Sequence, residues 1–271
     1  MAKERDYVLG THAEEIERLG TQHTIWRPHA TLAWQNAGFT AGQVILDVGC
    51  GPGWATLDLA GIVGRQGRVI GVDRSRRFLD VATAAAEARG IEHVRFHELD
   101  LDEQDLPDVQ VDGAWSRWVY SFVRRPQAVL GKVAKRIRPG GAMVMHEYVD
   151  YRSWQLSPPR EEFETFVREV MASWRDSGGE PDIARVLPRW LEEGGFEVRS
   201  LKPIIETPRR QDFFWVWPDI FVDVGLQRLV DLGRVTPEQA DGIRRAFHES
   251  QSTPGAFQLT PTVLEIIAIK R

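Results

Sequence analysis

The sequence predicts an α/β fold in which a mostly parallel sheet carries helices on both faces, and three observations support this. Apolar runs of strand length alternate with helical segments over residues 44–146, as expected when each strand is followed by a crossover helix. The first run, Val44–Val48, ends in a turn with glycine at alternate positions. The second run, Val69–Val72, ends in the acid Asp73. In such sheets ligands bind where the strands end, so these two turns predict a binding site.

The segment before the first strand predicts two helices. An amphipathic stripe recurs at helical spacing, formed by Ile16, Leu19, His23 and Trp26. Pro28 should end this helix, because the residue before a proline is disfavoured in helical conformation. A second short helix is expected over 29–37. We interpret residues 1–38 as a helical lid over the site, with an ordinary packing segment as the alternative.

The glycine turn indicates close approach of the backbone to a ligand. Gly49, Gly51 and Gly53 suit positive φ angles, and a helix beginning at Trp54 favours negative charge at its N-terminus. The spacing differs from the dinucleotide pattern G-x-G-x-x-G, and no Gly-Lys-Ser/Thr follows. Cys50 is the single cysteine, so an internal disulfide is excluded. We interpret Cys50 as a small buried residue of the turn.

Acids after the second and third strands predict contacts to a nucleoside. Asp73, followed by Arg74, lies where a carboxylate hydrogen-bonds ribose hydroxyls. The alternative role for this acid is a helix cap, for which Ser75 is also available. After the third apolar run, we expect Asp100 to accept from the adenine amino group and Leu101 to lie beside the ring.

The fourth apolar run ends at Ser116 and Arg117, again at the edge where ligands bind. Arg117 is a candidate partner for a carboxylate of the ligand or of an acidic substrate, and a structural arginine is the alternative. A turn over Arg138–Gly141 then precedes a fifth strand at Ala142–His146.

The pattern Asp47-x-Gly49-x-Gly51-x-Gly53 resembles motif I of the class I S-adenosylmethionine-dependent methyltransferases. The acids after strands two and three and the Arg-Pro-Gly-Gly turn follow in order, so residues 43–148 are similar to the type 11/12 members. These include enzymes of quinone biosynthesis and natural-product formation.

The resemblance implies S-adenosylmethionine as cofactor and S-adenosylhomocysteine as product. An N-terminal leader similar to that of some bacterial members adds Tyr7 and Gln22 to the implied contacts. The cofactor-binding residues implied or predicted are Tyr7, Gln22, Asp47, Gly49, Cys50, Gly51, Gly53, Asp73, Arg74, Asp100, Leu101, Ser116 and Arg117.

The family core implies a Rossmann-like, seven-stranded, doubly wound sheet whose last strand is antiparallel. Residues 39–271 would form this domain, with strand six at 196–205 and strand seven at 258–269. Two aromatic-rich insertions, at about 149–180 and 207–257, exceed a minimal core. We expect them to help build the acceptor site, since loops on a rigid scaffold commonly carry function.

Transfer to oxygen or nitrogen calls for a base near the methyl group. Candidates at the end of strand five are His146, Glu147 and Tyr151, and His23 and His29 come from the lid. Because side chains alternate along a strand, His146 and Glu147 should face opposite sides, so we expect only one of them in the site.

Bulk properties narrow the classes of partner. The net charge is −5, and no long basic stripe predicts nucleic-acid binding. No apolar run reaches the ~18–20 residues of a membrane span, and no compact His/Asp cluster predicts a metal site. Met1–Asp6 is charged rather than apolar, so we expect no signal peptide and a cytoplasmic protein. A homodimer through exposed aromatic helices is left open.

These observations favour an S-adenosylmethionine-dependent methyltransferase whose acceptor is a small molecule, methylated on O, N or C. A secondary metabolite or quinone-like compound fits the aromatic-rich insertions. Three alternatives stay open: a non-catalytic S-adenosylmethionine-binding protein, an NAD-dependent oxidoreductase, and a peptide or protein acceptor. The sequence leaves the acceptor, the methylated atom, the base and the oligomeric state undetermined.

Overall fold

The computed structural model describes residues 13–271 and contains a seven-stranded sheet. Its strands are β1 (Val44–Val48), β2 (Arg68–Asp73), β3 (Val94–Glu98), β4 (Val111–Arg117), β5 (Ile137–Asp150), β7 (Phe196–Ile204) and β9 (Thr262–Lys270). The spatial order is β3-β2-β1-β4-β5-β9-β7, and β9 runs antiparallel to both of its neighbours. The predicted Rossmann-like sheet with an antiparallel last strand is therefore confirmed.

Helices cover both faces of this sheet. They are α1 (Ala13–Asn36), α2 (Trp54–Val63), α3 (Arg76–Ala88), α4 (Pro126–Arg136), α5 (Glu161–Asp176), α6 (Leu187–Glu193), α7 (Val216–Asp231) and α8 (Pro237–Ser252). One apolar cluster lies between the sheet and α4 and α6. A second lies between the opposite face and α1, α2 and α3. Within residues 13–271, no helix is long and apolar enough to cross a membrane.

The two insertions pack against each other as one helical unit. Helices α5, α7 and α8 share an aromatic cluster, and a small sheet pairs β6 (Gln155–Ser157) with β8 (Phe257–Leu259). The stripe of Phe163, Phe166 and Val167 on α5 is buried in this cluster. Trp26 of α1 also belongs to it, so the cluster joins the insertions to the N-terminal helix.

Helix α1 is continuous, so the predicted break at Pro28 was wrong. Pro28 is exposed, whereas Trp26, Ala30 and Trp34 on either side of it are buried. Proline removes one helical hydrogen bond and crowds the preceding turn. Burial of the aromatic face on both sides of Pro28 outweighs that local cost, because tertiary packing supplies most helix stability in proteins.

Two expectations for the later strands also need correction. The last strand was predicted from residue 258, but Gln258 lies in β8 and β9 begins at Thr262. Pro261 separates the two strands, and proline has no N–H to continue a ladder. Arg138–Gly141 forms a bulge inside β5 rather than a turn before it: Val111 pairs with Ile137, and Gly113 pairs with Ala142.

Candidate functional site

A cleft of about 1100 Å³, including the part open to solvent, lies at the carboxyl ends of the central strands. Turns after β1, β2, β3 and β4 form its floor, and α1 closes one side. The lining residues are Leu19, Gln22, His23, Asp47, Gly49, Cys50, Gly51, Pro52, Trp54, Ala55, Asp73, Arg74, Phe78, Leu99, Asp100, Leu101, Asp102, Trp115, Arg117, Trp118, Val119, Phe122 and Val123.

The glycine turn after β1 requires glycine for two different reasons. Gly49 has a φ of 67°, and a Cβ there would lie 2.5 Å from Val119 Cγ2, so this position packs against the loop after β4. Gly51 has a φ of 52°, but a Cβ there would meet no atom of the described chain within 4 Å. Since Gly51 also lines the cleft, its missing side chain leaves room for a ligand beside the backbone.

Asp73, the last residue of β2, carries a carboxylate that accepts three backbone hydrogen bonds. Oδ2 accepts from the Gly51 N–H at 2.9 Å, and Oδ1 accepts from the Ser75 N–H at 2.9 Å. The Arg74 N–H donates to the same carboxylate, and Ser75 itself caps α3 through its hydroxyl. The two oxygens of a carboxylate offer about four acceptor sites, so Asp73 can still accept a bond from a ligand in the cleft.

Asp100 and Leu101 follow β3 at the edge of the cleft that Asp73 also borders. Asp100 Oδ1 accepts from the Asp102 N–H at 2.9 Å. Leu101 is buried, and Leu99 and Phe78 are buried beside the same cleft. An acid next to apolar side chains suits a flat heteroaromatic ring with a polar edge.

A half-buried arginine, Arg117, and a buried acid, Asp47, line the cleft at the ends of β4 and β1. Arg117 Nη2 contacts His23 Nδ1 at 3.1 Å, and Arg117 Nη1 has no hydrogen-bond partner within residues 13–271. Burial lowers the pKa of Arg117 to about 10, while the charge of Asp47 opposes this shift. Burial raises the pKa of Asp47 to about 7, against the effect of a hydrogen bond from Thr56. A cation with an unfilled donor is thus held beside a partly neutralised acid.

Trp118 adopts an unusual backbone conformation directly after β4. Its φ is 52°, rare for a residue with a bulky side chain. The indole stacks between Tyr148 at 5.4 Å and Trp217 at 5.6 Å between ring centroids. The two stacked rings and the Trp118 N–H bond to the His146 carbonyl hold this conformation, which turns the chain back along the cleft.

The three candidate catalytic residues lie outside the cleft lining. His146 is fully buried, and its Nε2 lies 3.3 Å from Glu265 Oε2 on β9. Glu147 is also fully buried and accepts hydrogen bonds from residues 119–121. Tyr151 is buried against Tyr148 and other aromatic rings. The expectation that one of His146 and Glu147 faces the site does not match these positions, because tertiary packing encloses both faces of β5.

The structure brings most of the predicted cofactor contacts together at the cleft. Those lining it are Gln22, Asp47, Gly49, Cys50, Gly51, Asp73, Arg74, Asp100, Leu101 and Arg117. Gly53 instead begins α2 against Ala82, and Ser116 is fully buried. Tyr7 and Met1–Asp6 lie outside the described residues.

Sequence reasoning missed several residues of the cleft wall. Trp118, Phe122 and Val123 follow β4 without a recognisable motif. Asp102 also lines the cleft and caps the Arg124 and Arg125 N–H groups. Within residues 13–271, no group of three or more His, Cys, Asp or Glu side chains is arranged to hold a metal ion.

Burial raises the pKa of the Cys50 thiol well above its usual value. A thiol that stays protonated is a poor nucleophile. Cys50 therefore serves as a small residue in the glycine turn, where its N–H donates to the Val72 carbonyl.

Comparison with known proteins agrees with this geometry. A family model described as a methyltransferase domain matches residues 45–141. An uncharacterised 37.1 kDa protein in a Streptomyces fradiae transposon is 32% identical over 62% of this chain and 47% of its own length. Demethylmenaquinone methyltransferase of Lactococcus lactis is 26% identical over 71% of this chain and 73% of its own. The chain thus spans about half the length of the first of these relatives.

A solved structure of geranyl diphosphate methyltransferase in complex with S-adenosylmethionine shares the fold. Its TM-score is 0.56 at 19% identity, covering 90% of this chain and 85% of that one. The sheet order, the glycine turn and these matches define a methyltransferase fold built on a nucleotide-binding sheet. The comparisons support a class I S-adenosylmethionine-dependent methyltransferase domain with S-adenosylmethionine as its cofactor. The open space at Gly51, the remaining acceptor capacity of Asp73 and the unfilled Arg117 donor fit a nucleoside joined to an amino acid.

Proposed function

We propose that the protein transfers a methyl group from S-adenosylmethionine to a small-molecule acceptor. The observation that carries the proposal is the Asp73 carboxylate, which keeps acceptor capacity beside the open space at Gly51 after accepting three backbone hydrogen bonds. An acid at the end of this strand suits the hydroxyls of a ribose. When bound, the cofactor supplies a methyl group already activated on a sulfonium.

We assign the other residues of the cleft to the remaining parts of the cofactor. Asp100 accepts from the adenine amino group, and Leu101 packs on the ring. Arg117 binds the carboxylate of the amino-acid moiety. Gln22, Asp47, Gly49, Cys50 and Arg74 complete the enclosure, and α1 acts as the lid.

The acceptor is proposed to be a small molecule with an apolar body, such as a secondary metabolite or quinone-like compound. Support comes from the cleft wall, to which Trp54, Trp118 and Phe122 contribute aromatic rings. Sites for such molecules are commonly apolar with a few placed polar groups. The name of the Lactococcus relative, which acts on demethylmenaquinone, points the same way.

We propose that the residues of this cleft act by placement and exclusion of water rather than through a dedicated base. His146, Glu147 and Tyr151 are buried elsewhere, and both nitrogens of His23 are engaged by Asp58 and Arg117. Holding the reactants in line accelerates an already activated displacement. A cytoplasmic location, metal independence and a homodimer stay predictions.

The absence of an assigned base favours one second candidate, a protein that binds S-adenosylmethionine without transferring its methyl group. The same experiment separates the two. A broad panel of phenols, quinols, amines and carbon acids is incubated with the cofactor, and S-adenosylhomocysteine release is measured. Turnover of any acceptor excludes the non-catalytic candidate.

Asp73→Ala tests the site itself. Hydrogen bonds to a charged group contribute about 1.5–3 kcal/mol each, so loss of a ribose contact should weaken S-adenosylhomocysteine binding at least about 10-fold by calorimetry. Asp80→Ala, which removes an exposed acid on α3, is the matched control and should bind normally. An unchanged affinity of Asp73→Ala for S-adenosylhomocysteine would refute the assignment of Asp73 to the ribose.

A further inference from the structure

A chain of hydrogen bonds links three elements beside the cleft. Asp58 on α2 lies 3.0 Å from Nε2 of His23 on α1, and Nδ1 of His23 lies 3.1 Å from Arg117 Nη2 after β4. A carboxylate only accepts and a guanidinium only donates. Nε2 of His23 therefore carries the proton, and Nδ1 offers its lone pair to Arg117.

This chain of hydrogen bonds fixes Nη2 of Arg117 and leaves Nη1 unfilled. Nη1 is buried without a hydrogen-bond partner in the described part of the chain. A buried donor left unmade is costly, and a guanidinium pairs best with a carboxylate. Asp47 lies near enough to influence Arg117 but forms no ion pair with it in residues 13–271. Arg117 Nη1 is therefore available to bind a carboxylate of a ligand.

The order of the strands indicates which carboxylate can reach Arg117 Nη1. Strands β1 and β4 are hydrogen-bonded neighbours, with Val48 beside Ser116. Gly49 and Arg117 consequently leave the sheet side by side. The amino-acid end of the cofactor belongs at this place if the ribose lies at Asp73, on the opposite side of the glycine turn.

We propose that Asp58 and His23 are positioning residues that orient Arg117 to receive the carboxylate of the cofactor's amino-acid moiety. The proposal rests on the proposed cofactor orientation. In this arrangement Asp58 fixes the tautomer of His23, and His23 fixes the rotation of the guanidinium. The His23 imidazole thereby links helix α1 to the group that binds the amino-acid end of the cofactor.

A purely structural role for the same contacts predicts something different. Asp58 also accepts two hydrogen bonds from Arg27 of α1, so the His23–Asp58 bond would merely add to a tether between α1 and α2. Two substitutions separate the roles. The Asn side chain places its oxygen near the position of His Nδ1 and keeps an acceptor for Arg117. The Gln side chain places its NH₂ near Nε2 and keeps a donor for Asp58.

The experiment measures binding of S-adenosylhomocysteine and of its decarboxylated analogue, by calorimetry, to wild type, His23→Asn and His23→Gln. Wild type should prefer the carboxylate ligand by about 10–100-fold, the usual size for charged hydrogen bonds. His23→Asn should keep most of that preference, and His23→Gln should lose most of it. Arg27→Gln, the matched control, breaks the tether and should keep the full preference.

The opposite order, with the preference kept in His23→Gln and lost in His23→Asn, would overturn the proposal. So would a wild type that binds the two ligands equally. Arg117→Gln covers the case in which the His23 variants do not fold, since a preserved preference there also overturns it. Failure of wild type to bind either ligand would instead refute the proposed function, and the two failures are therefore distinguishable.

Discussion

Glu147 is a buried carboxylate whose hydrogen-bond donors all come from one short stretch of chain. Val119 N–H and Tyr120 N–H donate to Oε1, while the Ser121 N–H and hydroxyl donate to Oε2. Burial raises the pKa of Glu147 to about 7, and these four bonds oppose the rise. A carboxylate used in this way holds the loop that carries Trp118 and Val119 along the cleft.

Glu147→Gln should therefore reduce stability. The amide supplies one acceptor oxygen and turns an NH₂ group toward N–H donors, so we expect a loss of about 2–4 kcal/mol in the free energy of unfolding. For a chain of this size the melting temperature should fall by about 4–16 °C, measured by calorimetry at about pH 8. Glu192→Gln, an exposed acid on α6, should change little. An unchanged melting temperature with abolished turnover would instead identify Glu147 as a base.

At the scale of elements, α1 carries a proline in its interior and yet spans both the cleft and the aromatic cluster. Pro28 is exposed, so its ring makes little contribution to the core. Proline is about 3 kcal/mol less favourable than alanine within a helix. The helix around Pro28 has already adjusted its local geometry to the proline, so removing the proline should recover only part of this difference.

Pro28→Ala should stabilise the protein by about 1–3 kcal/mol, because it restores an N–H donor in mid-helix. The melting temperature should rise by about 2–12 °C. Gln35→Ala, at another exposed position of α1, provides the control and should shift it only slightly. A lower melting temperature for Pro28→Ala would mean that the proline sets a bend on which burial of Trp26 and Trp34 depends.

Strands β5 and β9 are joined by a buried pair of side chains, His146 and Glu265. His146 is opposite Glu265 in the ladder, and burial lowers its pKa to about 4 although the bond to Glu265 opposes the shift. A histidine with a lowered pKa stabilises the fold fully above its unfolded value near 6.5. That contribution is lost as the pH falls from about 6.5 toward 4, since the unfolded chain binds the proton first.

Between pH 7 and pH 5, wild type should lose about 2 kcal/mol more stability than His146→Gln, because roughly 1.5 of these pH units lie below the unfolded pKa and each contributes about 1.4 kcal/mol. In melting temperature this corresponds to about 4–8 °C. Arg117 and His29 also act on His146, and both are present in each protein, so the difference isolates His146. If the melting temperatures of wild type and His146→Gln fell in parallel between pH 7 and pH 5, a neutral His146 would be contradicted.

The elements that sequence predicts well are those whose chemistry is local. The glycine turn, Asp73 and Ser75 lie within a few residues of the strands that present them, so spacing alone places them at the cleft. The Asp58–His23–Arg117 chain joins residues 35 and 94 positions apart, and no local pattern encodes it. The same holds for Glu147, whose residue type suggested a base before its partners at 119–121 were known. Continuity through Pro28 likewise depends on packing that a propensity argument does not contain.

At the scale of the whole molecule, the aromatic cluster of the insertions extends into the cofactor half. Besides residues of α5, α7 and α8, it contains Trp26 of α1, Trp118 after β4 and Val263 of β9. The insertions therefore pack directly against α1 and the sheet. Ligand binding at the cleft should therefore stabilise the described chain as one cooperative unit.

S-adenosylhomocysteine at about 100 times its dissociation constant should add about 2.7 kcal/mol to the free energy of unfolding. The melting temperature should then rise by about 5–10 °C. Tryptophan fluorescence reports mainly on the aromatic cluster, and circular dichroism reports on all helices, so the two transitions should coincide with and without ligand. NADH serves as the control nucleotide and should leave both transitions in place. A shift confined to one probe would show that the insertions unfold separately from the cofactor half, and a shift with NADH alone would assign the cleft to a dinucleotide.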